Sequence, residues 1–280
     1  MTRYHFPINE KEFEKVVSFS PLDTIICQRK PFGDVTAEEY FEFAKSDLKS
    51  GDKSGLVNAL SNAKRCFHYQ IDRLLYRYAL RKAFSKLDFP QKLEILSELH
   101  IIPGTLLRVF NRERNAMEHN YTSPSREIVE GSIDLCDLLL LATERFIQNT
   151  PGRLRVKFRN DDRDIIILLE LGADKIQFFE VLGTELEDGP NGKYYGDIIS
   201  KFGADNESEE GITINRIANN DIKITLSNKD EWIPILRIFS VAARDPSGFL
   251  TLPNEPMAAI QHFLPWKKLK KTIDRMSTEK

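Results

Sequence analysis

At 280 residues the chain is long enough to bury two cores, and a net charge of −2 provides no global basic field for nucleic acid. With 41% hydrophobic and 29% charged residues it has the composition of a globular protein rather than a disordered or fibrous one. Its three cysteines (Cys27, Cys66 and Cys136) are too scattered for a disulfide framework or a zinc site.

The N-terminal "MTRYHFPINEKEFEK" lacks the apolar core of a signal peptide, and no run approaches the roughly 18 apolar residues that cross a bilayer. A reducing cytoplasm is the expected compartment, with no membrane partner. Helical spacing dominates the first half. Short helices are expected at "NEKEFEKVVSF" and "PQKLEILSEL", and at "TAEEYFEFAKSDLKS" with Thr36 as N-cap and Glu39 as its capping-box partner. In "KSGLVNALSNAKRCFHYQIDRLLYRYALRKAF", Leu56, Leu60, Ala63, Phe67, Ile71, Leu74 and Tyr78 step by threes and fours along one stripe of a long helix. Further helices are expected through "GTLLRVFNRERNAMEHNY" and, after the "TSPS" break, "REIVEGSIDLCDLLLLATERFIQN".

"NTPGR" changes the texture. Strands are expected at "RLRVKF", "DIIILLEL", "KIQFFEVL", "GITINRI" and "DIKITLS", separated by turn-forming "RNDDR", "LGADK" and "ANND". "DKIQFFEVL" and "DIKITLS" alternate as half-buried antiparallel strands do. "KDEWIPILRIFSVAAR" returns to helical spacing, and "EPMAAIQHFLPWKKLKKTIDRM" adds a last helical element. The expected fold class is therefore α+β. An all-α helical bundle over 1–150 (core 36–149) precedes a smaller α+β domain over 151–280 with a small antiparallel sheet.

One stretch carries chemistry. "NRERNAMEHNY" sets Arg114, Asn115, His119 and Tyr121 in one helical segment. Asn115 and His119, one turn apart, share a face, so the amide can orient the imidazole. Arg114 and His119 diverge by about 140° around a straight helix. Either the Arg sits at a distorted helix start, or two copies of the helix face each other and pool their side chains at one phosphate. His can move a proton near neutral pH, and Arg can clamp a phosphate bidentately. The pair suits attack of an RNA 2′-hydroxyl on its adjacent phosphodiester, leaving a 2′,3′-cyclic phosphate. DNA, lacking that hydroxyl, would be spared. No metal and no cofactor are called for. The bland alternative is a solvated helix face.

The helical half resembles the HEPN superfamily (higher eukaryotes and prokaryotes nucleotide-binding domains). The likeness lies in the long helix "GLVNALSNAKRCFHYQIDRLL", a short helix, the polar "RNAMEH", a Ser/Pro break and a closing apolar helix, over residues 36–149. Many members of that family are metal-independent endoribonucleases with an Arg-x4-6-His motif and a polar residue after the Arg. The resemblance implies that Arg114 and His119 are the motif pair, with Asn115 the polar residue. It also implies a homodimer with facing motifs, acting as an RNA-cutting toxin or antiviral-defence effector. "RNAMEHNY" further fits a subgroup in which an antitoxin modifies the tyrosine, here Tyr121; a helix-end aromatic that packs or binds RNA is the alternative. Some HEPN domains only bind nucleotides or mediate assembly. A non-catalytic module recruiting a protein partner is therefore the competing expectation.

Arg73, Arg77 and Arg81 recur one turn apart beside the apolar stripe. With Arg108 and Arg112 they would form an RNA-binding, phosphate-tracking patch, or else a solvated face paired with Asp72. His68 and His100 lack partners at metal spacing, Asp134 and Asp137 suit a helix surface, and the basic "WKKLKKTIDR" reads as surface. The second domain has no P-loop, dinucleotide fingerprint, zincin motif or nucleophile elbow. Target selection, partner binding and holding the nuclease in check all stay open for it; an antitoxin or regulatory protein as partner is what the resemblance implies.

Overall fold

The computed structural model describes residues 16–21, 32–80, 86–102, 123–158, 163–170, 174–182, 207–209, 212–217, 221–243 and 250–251. The fold is α+β. Ile26–Gln148 forms one compact unit, and Met1–Ile25 together with Asn149–Lys280 forms the other.

Four helices are described in the first unit: α1 (Ala37–Ser50), α2 (Lys53–Arg77), α3 (Phe89–Glu98) and α4 (Arg126–Gln148). The capping box at α1 is formed as expected. Thr36 Oγ1 accepts from Glu39 N at 3.1 Å, and Glu39 Oε2 accepts from Thr36 N at 2.8 Å. Gly51, left-handed at φ 69°, ends α1, and Asp52 caps α2 at once by accepting from Gly55 N at 2.7 Å. So tight a turn brings the two helices together. A Cβ on Gly55 would stand 2.6 Å from Asp47 O, which is why glycine is needed there.

Cross-links between helices give their directions. Asn62 Nδ2 donates to Asp47 Oδ2 and Arg73 Nη1 to Glu38 Oε1, so α1 and α2 run antiparallel. Gln70 bonds Thr143, and Cys136 Sγ donates to Ala63 O, each pair 73 residues apart, so α2 and α4 run in the same direction. The apolar stripe predicted for α2 is buried from Leu60 to Tyr78, with Leu56 half-buried.

The second unit is built on one antiparallel sheet. Its strands are β1 (Val16–Pro21), β2 (Arg153–Phe158), β3 (Arg163–Glu170), β4 (Lys175–Leu182), β5 (Glu207–Glu209), β6 (Ile212–Arg216), β7 (Ile222–Lys223) and β8 (Leu250–Thr251). They are ordered β5-β6-β4-β3-β2-β1-β8, with β7 also pairing with β4. Helix α5 (Lys229–Ala242) packs against β1, and its Trp232 Nε1 donates to Thr225 O at 2.8 Å.

Three expectations are corrected here. Val16–Pro21 is a strand, not the end of a helix at "NEKEFEKVVSF", and Pro21 pairs with Leu154 of β2. "VVSF" is β-branched and aromatic, and a vacant place beside β2 decides its conformation. The N-terminal segment thus belongs with the sheet rather than with the helices, and the sheet is larger than the sequence suggests. "DIKITLS" is not a full strand: β7 has two residues, and Leu226–Asn228 turn as a 3-10 helix leading into α5. Finally, β4 does not alternate, since Ile176, Gln177 and Phe178 are buried in succession, as are Asp164 to Ile167 on β3. Both are central strands, and over these runs side chains on both faces are buried.

Candidate functional site

Arg108, Arg112, Arg114, Asn115, His119 and Tyr121 all lie outside the described residues, as do Arg81, Glu118 and the "WKKLKKTIDR" segment. The chain on either side of the motif is well anchored. Before it, Leu99, Ile101 and Ile102 are buried behind α3. After it, Ser125 Oγ accepts from Ile128 N at 3.3 Å and starts α4.

Arg73 and Arg77 correct the expectation of a basic patch. They form neither a phosphate-tracking surface nor a solvated face, because both are in the interior at 3% and 0% exposure. Arg73 Nη1 is 2.8 Å from Glu38 Oε1. Arg77 Nε donates to Ile147 O at 3.0 Å, in the last turn of α4. Its cation there meets a carbonyl with no partner inside its own helix, at the negative end of the helix dipole. Asp72 pairs with neither arginine; Lys92 Nζ holds it at 2.6 Å. A guanidinium committed to such contacts inside a unit cannot follow an RNA backbone.

The buried polar column they belong to has a member that sequence reasoning misses. Gln70 Nε2 donates to Thr143 Oγ1 at 2.8 Å, and that hydroxyl donates to Leu139 O at 2.7 Å. The signal is present in the chain: Gln70, Arg73 and Arg77 sit three and four residues apart, flanked by apolar Ile71, Leu74 and Tyr78. Polar side chains so close to a core stripe face a neighbouring helix as readily as water.

His68 stacks on Phe89, with ring centroids 4.2 Å apart and 13° between planes, in keeping with a structural role. His100 sits just past α3 with φ 58°. Cys66 and Cys136 are buried free thiols. Hydrogen bonding with the Cys66 thiol, and then burial, push the Cys136 thiol far above the usual thiol range, so it stays protonated and poorly nucleophilic. Asp134 and Asp137 are exposed on α4. Among the described residues no group of three or more His, Cys, Asp or Glu is placed to hold a metal ion. None of the described helices is long and apolar enough to cross a membrane.

The described residues therefore bring together an interior polar column, not a reactive cleft. Comparison with family models, with curated proteins and with solved structures finds no match for this chain.

Proposed function

We propose that the chain is a metal-independent endoribonuclease of HEPN type, acting as a homodimer in the cytoplasm as a toxin or defence effector. The observation that carries this reading is "RNAMEH" at residues 114–119, set in the chain between helices α3 and α4. A 25-residue helix, a 10-residue helix, the motif, a Ser/Pro break and a 23-residue closing helix follow one another in the order the family resemblance requires.

In this mechanism the His119 imidazole takes the proton of the RNA 2′-hydroxyl. The 2′-oxygen attacks the adjacent phosphorus, the bond from phosphorus to the 5′-oxygen breaks, that oxygen takes a proton from water and leaves as a 5′-hydroxyl, and a 2′,3′-cyclic phosphate remains. Arg114 holds the phosphate and neutralises charge building on its oxygens. Asn115, one turn before His119, orients the ring. Arg108 and Arg112 remain as phosphate contacts; Arg73 and Arg77 drop out because they are buried. Tyr121 is the position an antitoxin would modify.

The test is cleavage of labelled RNA by the purified full chain. Arg114→Ala and His119→Ala should each lower the rate by roughly 100-fold or more, in line with the usual worth of a general base or a charge clamp. EDTA should change nothing. Loss of activity on chelation, restored by a divalent ion, would sink the mechanism.

A second reading, a non-catalytic assembly module, is favoured by one observation: Leu138 and Leu141 stand exposed on α4. A chain that neither cuts RNA nor slows growth on expression would select it.

A further inference from the structure

Helix α4 has two apolar sides. Val129, Ile133, Cys136, Leu139, Phe146 and Ile147 line its buried face. Away from them, Leu138 is 59% and Leu141 70% exposed, more than any other large hydrophobic residue among those described. They continue a stripe that steps by fours and threes, Asp134–Leu138–Leu141–Arg145, with every member exposed. That 3-4 spacing keeps the four side chains on one side of the helix, as in a coiled-coil seam.

The stripe is its own complement when read backwards. A second copy of α4, turned about a two-fold axis midway between Leu138 and Leu141, sets each Leu138 against the other copy's Leu141. The same turn sets each Asp134 against the other copy's Arg145, once at either end. A parallel arrangement would instead stack Asp134 on Asp134 and Arg145 on Arg145. Among the described residues, neither Asp134 nor Arg145 has an ion-pair partner; Arg145 makes a ring contact with Phe146 at 5.0 Å. The acidic Asp137 and Glu144 lie to one side of the stripe, and Leu135 and Ala142 to the other, so the seam rolls toward the apolar side.

We propose that this face of α4 is a self-association surface, occupied by α4 of a second copy of the chain in antiparallel, two-fold register. An isologous contact requires one patch to complement itself, and this stripe does so in both shape and charge. The seam is small beside the roughly 800 Å² per partner of a stable interface, so the dimer it makes is concentration-dependent. The seam deepens the ribonuclease reading by naming the face that joins the two chains of its homodimer, yet it is argued from α4 alone.

Sedimentation of the full chain over a concentration series tests it. The wild type should pass from monomer to dimer as concentration rises. Leu138→Glu/Leu141→Glu should weaken dimerisation at least tenfold with circular dichroism unchanged, since both side chains are already in water. Asp134→Arg alone, and Arg145→Asp alone, should each weaken it several-fold by placing like charges together at both ends. Combined in one chain, the two charge reversals should restore it to within about twofold, because the pairing is recreated with its signs exchanged. A wild type that stays monomeric at every concentration overturns the proposal, as does a dimer indifferent to the leucine variant. A charge-reversed double variant no better than its singles overturns the register. RNA cleavage by the same preparations is scored separately, so loss of one reading leaves the other standing.

Discussion

Arg77 reaches from α2 to the end of α4, where its Nε donates to Ile147 O at 3.0 Å with the guanidinium fully buried. Seven residues earlier on α2, Gln70 holds Thr143, and seven earlier again Ala63 O accepts from Cys136. A parallel helix pair is thus tied at three levels, and Arg77 is its last tie. Arg77→Met should keep much of the packing volume but leave a buried carbonyl unsatisfied. The expected cost is about 2 kcal/mol. A lower urea midpoint should appear together with faster amide exchange over the last turn of α4. Unchanged stability with weakened RNA binding would return Arg77 to the surface patch.

The paired thiols make a second prediction. Folding favours the protonated Cys136, whose pKa is raised, chiefly by the Cys66 thiol and then by burial. Its stabilising contribution is therefore full below the ordinary thiol value of 9.0 and declines as pH rises above it. In a Cys27→Ser background, both buried thiols should resist Ellman's reagent at about pH 8 in the native state and react promptly in urea. Cys136→Ala should flatten part of the stability loss above pH 9.0. Fast labelling of the native protein would show that the thiols are not shielded.

In the sheet, Arg155 Nε and Nη2 both approach Asp164 Oδ2, at 2.7 and 2.6 Å, across the β2–β3 ladder. Both side chains are largely buried, so removing one partner takes this pairing from a charge that water reaches poorly. Asp164→Ala should destabilise the protein by about 3 kcal/mol, whereas replacing both residues with apolar side chains of similar size should cost much less. A double-mutant cycle read from denaturant midpoints measures the difference. A single variant as mild as the double would mean that the pair contributes little.

Much of this architecture is legible in the amino-acid sequence. The stripe from Leu60 to Tyr78 dictates α2, Thr36 with Glu39 starts α1, and "NTPGR" divides helices from strands, because each rests on contacts within a few residues. What escapes such reasoning depends on distant neighbours. Val16–Pro21 becomes a strand because Arg153–Phe158 and Leu250–Thr251 pair with it on either side. Arg77 is held in the interior by Ile147, whose carbonyl comes from 70 residues away. The exposure of Leu138 and Leu141 cannot be told from the buried leucines beside them until the face of α4 that meets α2 is known. The candidate site is legible as a motif alone, since Arg114 and His119 lie outside the described residues.

The last prediction concerns how those two residues cooperate. On one straight helix they diverge by about 140°, yet cleavage needs both within hydrogen-bond reach of one phosphate. If two chains pool their motifs across a two-fold axis, each site takes Arg114 from one chain and His119 from the other. Mixing an Arg114→Ala chain with a His119→Ala chain then produces heterodimers with one site missing both residues and one site intact. Such a heterodimer, isolated with two different affinity tags, should show about half the wild-type activity per dimer, while each homodimeric parent is inactive. Were each chain to supply its own pair, every site in the heterodimer would lack one member and cleavage would stay at the level of the parents. The same purified RNase assay therefore distinguishes pooling from self-sufficiency. A wild-type chain that does not cut at all would remove the catalytic reading itself.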